Sequence, residues 1–369
     1  QAQPPMNNLE IMYEWDRLDW NWETPEQSIA YETEAWYRNA AITGIQVDQN
    51  ERIFVSVPRF LNADVPATLN QVVVVDGVPL LEPFPNWEMH DRTQPNALQN
   101  ILGFHIDSQN RLWMLDMGWT AQGAVDNGQK IVVWDLESNT EIQRYLIPDN
   151  VASSESSFLN DIVVDEANEI AYISDSGNRS VPLNDSGIIV YDFNSNSAHR
   201  VLDEHPSTAN DATHQIYIEY TPIFPDAPLQ VGINGLVFRG DYLYWMRTTG
   251  SELYRVPLAT INDPQVSSSV VEQAVELVRD LGTSTDGLAI APDDTITITS
   301  LSTNAILSYD PDTDTLTTLA QDPRIIWPDT VDWSNTTLYF TNNHLHRAFG
   351  GYMDFDSGEV NFRIWRLEG

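Results

Sequence analysis

The chain contains no cysteine and a single lysine, Lys130, among its 369 residues. The missing cysteine removes thiolate nucleophiles, redox disulfides and Cys-ligated zinc. It does not exclude export, because a chain of this length can bury enough core to fold without covalent staples. Basic residues are scarce altogether: 18 Lys and Arg stand against 54 Asp and Glu, a net charge of −36. A field of that sign repels phosphate backbones and anionic lipid, so neither nucleic acid nor a membrane surface is an expected partner. No apolar run approaches the ~18–20 residues of a membrane-spanning helix. HExxH metal motifs, phosphate-cradling loops and dinucleotide fingerprints are absent as well.

Hydrophobic residues make up 42 % of the chain and aromatics 10 %, enough for a packed core. The acids are spread along the chain, which reads as a solubilising surface suited to high salt or to low pH. The opening Gln1-Ala2-Gln3-Pro4-Pro5-Met6 has no initiator methionine and reads as a tail left by signal cleavage. Residues 1–8 are accordingly expected to be an extended or disordered tail, and 9–369 a single domain. Asn178-Arg179-Ser180, Asn184-Asp185-Ser186 and Asn335-Thr336-Thr337 are glycosylation sequons. The expectation is a secreted, extracellular monomer.

An internal repeat decides the fold. Six copies open at Thr43-Gly44-Ile45, Leu102-Gly103-Phe104, Asn160-Asp161-Ile162, Asn234-Gly235-Leu236, Asp286-Gly287-Leu288 and Asp329-Thr330-Val331. Each runs through an apolar stretch and a polar turn, such as Gln49-Asn50-Glu51 or Pro292-Asp293-Asp294. An aromatic or β-branched strand follows, such as Leu112-Trp113-Met114-Leu115. Asn, Asp, Gly and Pro supply tight hairpin turns there. Strand–hairpin–strand units at spacings of 59, 58, 74, 52 and 43 residues are blades. The sequence therefore predicts an all-β, six-bladed β-propeller. Leu9–Trp15 and Phe362–Leu367 both read as strands, and one should complete a blade built mainly by the other end of the chain. Val270–Val278 carries helical spacing but is nearly as good a strand.

These residues also carry a family resemblance. Asn160–Asp165 through Ala171–Ser176, followed by Gly187–Asp192, resembles the mid-domain signature of the yellow / major royal jelly proteins. Arg52–Phe60 is similar to that family's first-blade motif. Gly232–Leu236, Asp322–Thr330 and Leu345-His346-Arg347 resemble its microbial branch. The resemblance implies a six-bladed propeller outside the cell. It implies little about activity, since members are linked to pigment conversion, amine binding and nutrition.

The first residue of each repeat should open the innermost strand, so Thr43, Leu102, Asn160, Asn234, Asp286 and Asp329 are expected in one ring at the mouth of the central channel. Four consecutive members offer oxygen ligands, and oxygen-only ligation suits Ca²⁺. Asn160, Asn234, Asp286 and Asp329 are thus candidate metal ligands; caps on the inner strands are the structural alternative. A second, more distant resemblance concerns this ring. Asn160, Asn234-Gly235 and Asp286-Gly287 are similar in order to the metal-ligand motifs of lactonases of the paraoxonase and regucalcin/gluconolactonase kind. Thr43 stands where those proteins carry glutamate, and Leu102 where paraoxonases carry histidine; Asp329 would replace the missing charge.

Other signals are weaker. Asp310-x-Asp312-x-Asp314 begins like an EF-hand but has Thr315 where glycine is needed, and reads as an acidic hairpin. His105 lies on an inner strand within reach of the channel. His344 and His346 alternate as if on one strand face, as in some zinc sites. Trp119, Trp245 and Trp327 flank channel elements and, with His346, are candidate walls of a ligand pocket.

Two functions compete, while a third, a platform for other proteins, has no support in the sequence beyond the fold. One is a Ca²⁺-dependent hydrolase or isomerase acting on a lactone or ester, with Asp329 or His105 moving protons. The other is a non-catalytic binding protein for a small aromatic or amine ligand, favoured by the negative field.

Overall fold

A computed structural model describes residues 8–179 and 185–368. Six four-stranded antiparallel sheets stand in a ring, each strand pairing with its neighbour in sequence for blades one to five. The innermost strands are Ile45–Val47, Ile101–Ile106, Leu159–Asp165, Ile233–Arg239, Leu288–Ile290 and Pro328–Ser334. The six-bladed propeller expected from the repeat is therefore the fold. Blade six is closed by both ends of the chain: Phe362–Glu368 is its third strand, and Leu9–Trp15 pairs with it antiparallel as the outermost.

The core lies between the blades. Buried apolar side chains cluster across each junction, as Phe54 does with Met114, Trp113 with Ile173, and Ile306 with Phe340. The second strand of a blade is buried on both faces, as in Leu243-Tyr244-Trp245-Met246, so it reads as a continuous apolar run rather than an alternating one. The acids of the repeat turns are structural. Asp107 accepts the backbone N–H groups of Gln109 and Arg111, the Arg111 guanidinium at 2.6 Å and the Trp113 indole at 2.9 Å.

Near the axis the inner strands crowd one another. A Cβ on Gly103 would lie 2.3 Å from the Asn160 carbonyl oxygen, and one on Gly287 2.4 Å from that of Asp329. Only glycine fits at that approach. In four blades the register slips at this point, between Ile101 and Phe104, Leu159 and Ile162, Ile233 and Leu236, and Pro328 and Val331. Such a bulge re-aims the side chain it carries. Hydroxyls from the second strands take up N–H groups beside the ring, in blades with and without the slip: Ser56 accepts from Gly44, Ser174 from Asp161, and Thr299 from Asp286 and Gly287.

Two insertions cover the ring end of the axis. One, between blades three and four, includes the small hairpin Tyr217–Ile218/Thr221–Pro222. The other, inside blade six, carries the helix Leu345–Gly350. Ile216, Ile223, Leu345 and Phe355 pack in one cluster with Ile42 and Trp327. The ambiguous stretch splits into helix Ser268–Gln273 and strand Glu276–Asp280. Asp310–Asp314 is a hairpin turn, as expected. Residues 1–7 of the expected tail, together with Ser180 and Asn184 of two sequons, lie outside the described residues; Asn335 is exposed in a turn.

Candidate functional site

A cavity of about 430 Å³ runs along the inner strands, and Leu102, Asn160, Asn234, Asp286 and Asp329 close one end of it. At the other end it reaches Glu166, Arg239, Gly240 and Asp294, of which Gly240 and Asp294 are exposed, so the channel opens on the hairpin-turn side. The same five ring residues line a second, smaller space of about 50 Å³ on their opposite side, roofed by Phe60, Phe158, Leu345 and Phe349. This corrects the expectation of a ring at an open mouth. The ring is a partition beneath a cap: the two insertions supply Leu229, Val231, Leu345 and Phe349, and loops of blades one and three add Phe60 and Phe158. Thr43 is fully buried with its hydroxyl on the Ser56 side chain at 2.8 Å, and lines neither space.

The four polar members are held from behind. Asn160 Nδ2 donates to Ser176 Oγ at 3.0 Å, and Asn234 Nδ2 to Thr248 Oγ1 at 2.7 Å. Asn234 Nδ2 also reaches Asp286 Oδ1 at 2.5 Å, while the Trp327 indole donates to Asp286 Oδ2 at 2.7 Å. Asp329 accepts from Thr330 Oγ1 at 2.9 Å and from Asn343 Nδ2 at 2.7 Å. With both amide nitrogens engaged by the blades, the amide oxygens of Asn160 and Asn234 are left for the cavity.

Asp286 is only half-buried, but its open part faces the channel and not bulk water. Burial pushes its carboxyl up to about 6, against the lowering pull of the Trp327 and Asn234 bonds. Asp329 is held well above the usual carboxylate range by burial, by the Asp286 charge and by Asp161. Asp161 is pushed up to about 7, chiefly by burial. Three carboxyls thus share a desolvated space. Among the described residues Arg239 is the only Arg or Lys lining the channel; it lies at the far end, paired with Asp294 and Asp312.

Asp161 escaped the sequence reading although a signal existed: it occupies the repeat position that is glycine in four of the other five copies. Asn343 was missed as well, although it directly follows the second strand of its blade, as Ser176 and Thr248 follow theirs, and holds the ring residue in the same way. His105 lines the channel beyond the ring, with burial lowering its basicity and no hydrogen-bond partner among the described residues.

The remaining candidates separate. Trp327 lines the small space above the ring, and His346 stacks on it at 5.4 Å and 18°. His346 is buried, and burial, with Arg347 nearby, brings it down to about 4. Trp119 touches the roof through Phe158, at 5.5 Å between ring centroids. Trp245 does not belong to the site: it is fully buried between blades three and four, with its indole on the Ser207 carbonyl at 2.9 Å. Nor do His344 and His346 share a strand face. His344 takes a left-handed φ of 51° as the residue before the helix, and His346 lies within it.

The chemistry of the ring's donors fits a hard cation, with two carboxylates and two amide oxygens and no nitrogen or sulfur ligand. Among the described residues no three Asp, Glu or His side chains converge as a metal cluster, so an ion here would depend on the amide oxygens of Asn160 and Asn234.

A family model described as major royal jelly protein matches residues 100–368. The chain belongs to the major royal jelly protein family. Major royal jelly protein 3 of Apis mellifera is 23 % identical over 278 residues, covering 72 % of this chain and 48 % of that protein. Major royal jelly protein 9 of Apis mellifera is 30 % identical over 178 residues, 46 % of this chain and 41 % of that one. The chain thus spans about half the length of the curated relatives it matches. Among solved structures, a gluconolactonase from Xanthomonas campestris aligns over 100 % of this chain and 98 % of its own, with a TM-score of 0.52 and 13 % identity. A luciferin-regenerating enzyme aligns over 89 % and 91 %, with a TM-score of 0.51 and 11 % identity. Likeness at that identity is a likeness of fold. In this royal jelly family propeller the family-like Leu345-His346-Arg347 opens the cap helix, and so belongs to the roof of the ring.

Proposed function

We propose that the central channel binds a small molecule and that Asn160, Asn234, Asp286 and Asp329 take its positively charged part. One observation carries this reading: Asp161, Asp286 and Asp329 repel one another in a desolvated space, and among the described residues the one Arg or Lys that lines the channel, Arg239, is paired elsewhere at its far end. Protons relieve the crowding when the site is empty, and a ligand cation would do the same at higher pH. Leu102, Phe104, Ile162 and Leu288 give the channel apolar walls for an organic body, so a small aromatic amine suits both halves.

Titration calorimetry with phenethylamine tests it. Binding should be tighter at pH 8 than at pH 5, because protons compete for Asp286, and it should weaken in Asp286→Asn and Asp329→Asn. Absence of binding, or binding indifferent to both variants, sinks the reading.

A second reading has its own support in the amide oxygens left for the cavity by Ser176 and Thr248. On it the ring holds Ca²⁺ and the protein hydrolyses a lactone or ester. A bound Ca²⁺ would polarise the substrate carbonyl. Asn160 and Asn234 would orient the ion through their oxygens, and His105 or Asp329 would exchange protons with the substrate. Stoichiometric Ca²⁺ in purified protein, with glucono-δ-lactone turnover lost on chelation, is the expected result. Metal content unchanged in Asn234→Ala rejects it. We also read the protein as secreted and monomeric, to be checked by its appearance in the culture medium of its source and by light scattering.

A further inference from the structure

A second hollow, of about 620 Å³, shares no lining residue with the channel and lies where the segment preceding blade one meets that blade's closing loops. Trp22, Trp36 and Trp87 line it, and none is buried. The rings of Trp22 and Trp87 are parallel to within 22°, with centroids 5.9 Å apart. The Trp22 indole donates to Asp19 at 2.8 Å, whereas those of Trp36 and Trp87 meet no acceptor among the described residues. On the rim, Glu23 and Glu88 are exposed, and their carboxylates accept no hydrogen bond among the described residues.

The floor is rigid. The buried Arg59 guanidinium donates to the carbonyls of Val65, Pro66, His90 and Leu98 at 2.8–3.1 Å, pinning both walls together. His90 bridges the Thr68 N–H and the Phe84 carbonyl, and burial with the Arg59 charge brings it down to about 3, so it stays neutral. The hollow is therefore preformed, which limits the ordering cost of binding.

We infer that this hollow binds a neutral carbohydrate. Indole faces pack against the C–H face of a pyranose, while hydroxyls need donors and acceptors together at the rim. The hollow offers both kinds unpaired: two indole N–H groups, and the carboxylates of Glu23 and Glu88. An organic cation would use the rings and carboxylates but would leave the two N–H donors without a role. The field of a −36 chain disfavours an anionic sugar. This inference is independent of the channel reading, since the two sites share no residue.

Calorimetric and saturation-transfer NMR titrations with maltopentaose, cellopentaose and chitopentaose test it, with choline as the cationic comparison. At least one pentasaccharide should bind. Its affinity should fall about tenfold, near 1.4 kcal/mol, in Trp36→Ala and Trp87→Ala. It should be unchanged in Asp286→Asn. Trp87→Phe keeps an aromatic face without the donor, so a clear loss is expected there too, even if the alanine variants unfold. The inference is overturned if none of the three sugars binds. It is equally overturned if binding survives both Trp87 substitutions, is lost in Asp286→Asn, or is found for choline alone.

Discussion

The indole N–H of Trp327 donates to Asp286 Oδ2 at 2.7 Å, while the same ring lies against the imidazole of His346. A residue just before blade six thus joins a ring carboxylate of blade five to the cap helix. Asn343 makes the parallel link for Asp329, with its Oδ1 accepting the Leu345 N–H at 3.0 Å while Nδ2 holds the carboxylate. Cap and ring are therefore one hydrogen-bonded unit.

Trp327→Phe separates the two contacts, since phenylalanine preserves stacking on His346 but cannot donate. A bond that favours the carboxylate is lost, so Asp286, already up at about 6, should titrate higher still. The expected outcome is weaker cation binding near pH 6, with little change at pH 8, read by calorimetry at the two pH values. Equal loss at both would mean that the ring had moved instead.

The pH dependence of stability is set partly by Asp332, which lines the channel beyond the ring. Burial pushes its carboxyl up to about 7, although it accepts the Val47 N–H at 2.8 Å and the Gln46 amide at 3.2 Å. Its folded value exceeds its unfolded one, so the folded state holds this proton more tightly. Stability should then fall as pH rises from about 4 to about 7 and level off above that. Asp332→Asn keeps an oxygen for Val47 and should flatten the slope in that window. Melting temperatures across pH 4–8 measure it. Self-repulsion of the acidic surface acts in the same direction but is screened by salt, whereas the Asp332 contribution should persist in 0.5 M NaCl.

Lys130, the lone lysine, is buried against Asp116 at 2.9 Å and also donates to the Gly128 carbonyl at 3.0 Å. The Asp116 carboxylate further takes the N–H groups of Gln99, Asn100 and Gly118. Lys130→Met leaves that charge buried without its partner, a loss of roughly 3–5 kcal/mol. Urea denaturation reads it directly. An amine-reactive reagent should also leave Lys130 unlabelled in the folded protein and label it once unfolded.

The fold was legible because the blades repeat similar residue types at the same steps: glycine beside the ring residue in four of the six copies, and in the first three an acid, Asp48, Asp107 or Asp165, that opens the hairpin turn. The ring was legible by superposing those steps, which picked out Asn160, Asn234, Asp286 and Asp329. What partners them was not. Trp327 lies 41 residues from Asp286 in sequence, and the cap belongs to insertions that no repeat predicts. Thr43 misled because its hydroxyl finds Ser56 within its own blade. Trp245 misled because a second strand buried on both faces gives no period from which to read direction. The His344/His346 pair presupposed a strand, and the left-handed turn at His344 begins a helix instead.

Closure of the ring by Leu9–Trp15 gives the last prediction. Trp15 is buried, with its indole on the Pro79 carbonyl of blade one at 2.9 Å, so the outermost strand of blade six also fastens the neighbouring blade. Glu10 and Glu14 pair with Arg366 and Arg363 across the same edge. Trp15→Ala should cost about 3–5 kcal/mol, the usual range for emptying a buried aromatic site. A chain starting at Asp16 should fare worse, because it bares the whole Phe362–Glu368 edge to other chains. It should associate with rising concentration in light scattering and unfold at lower urea. A truncated protein that stays monomeric with an unshifted midpoint would show that three strands suffice for blade six.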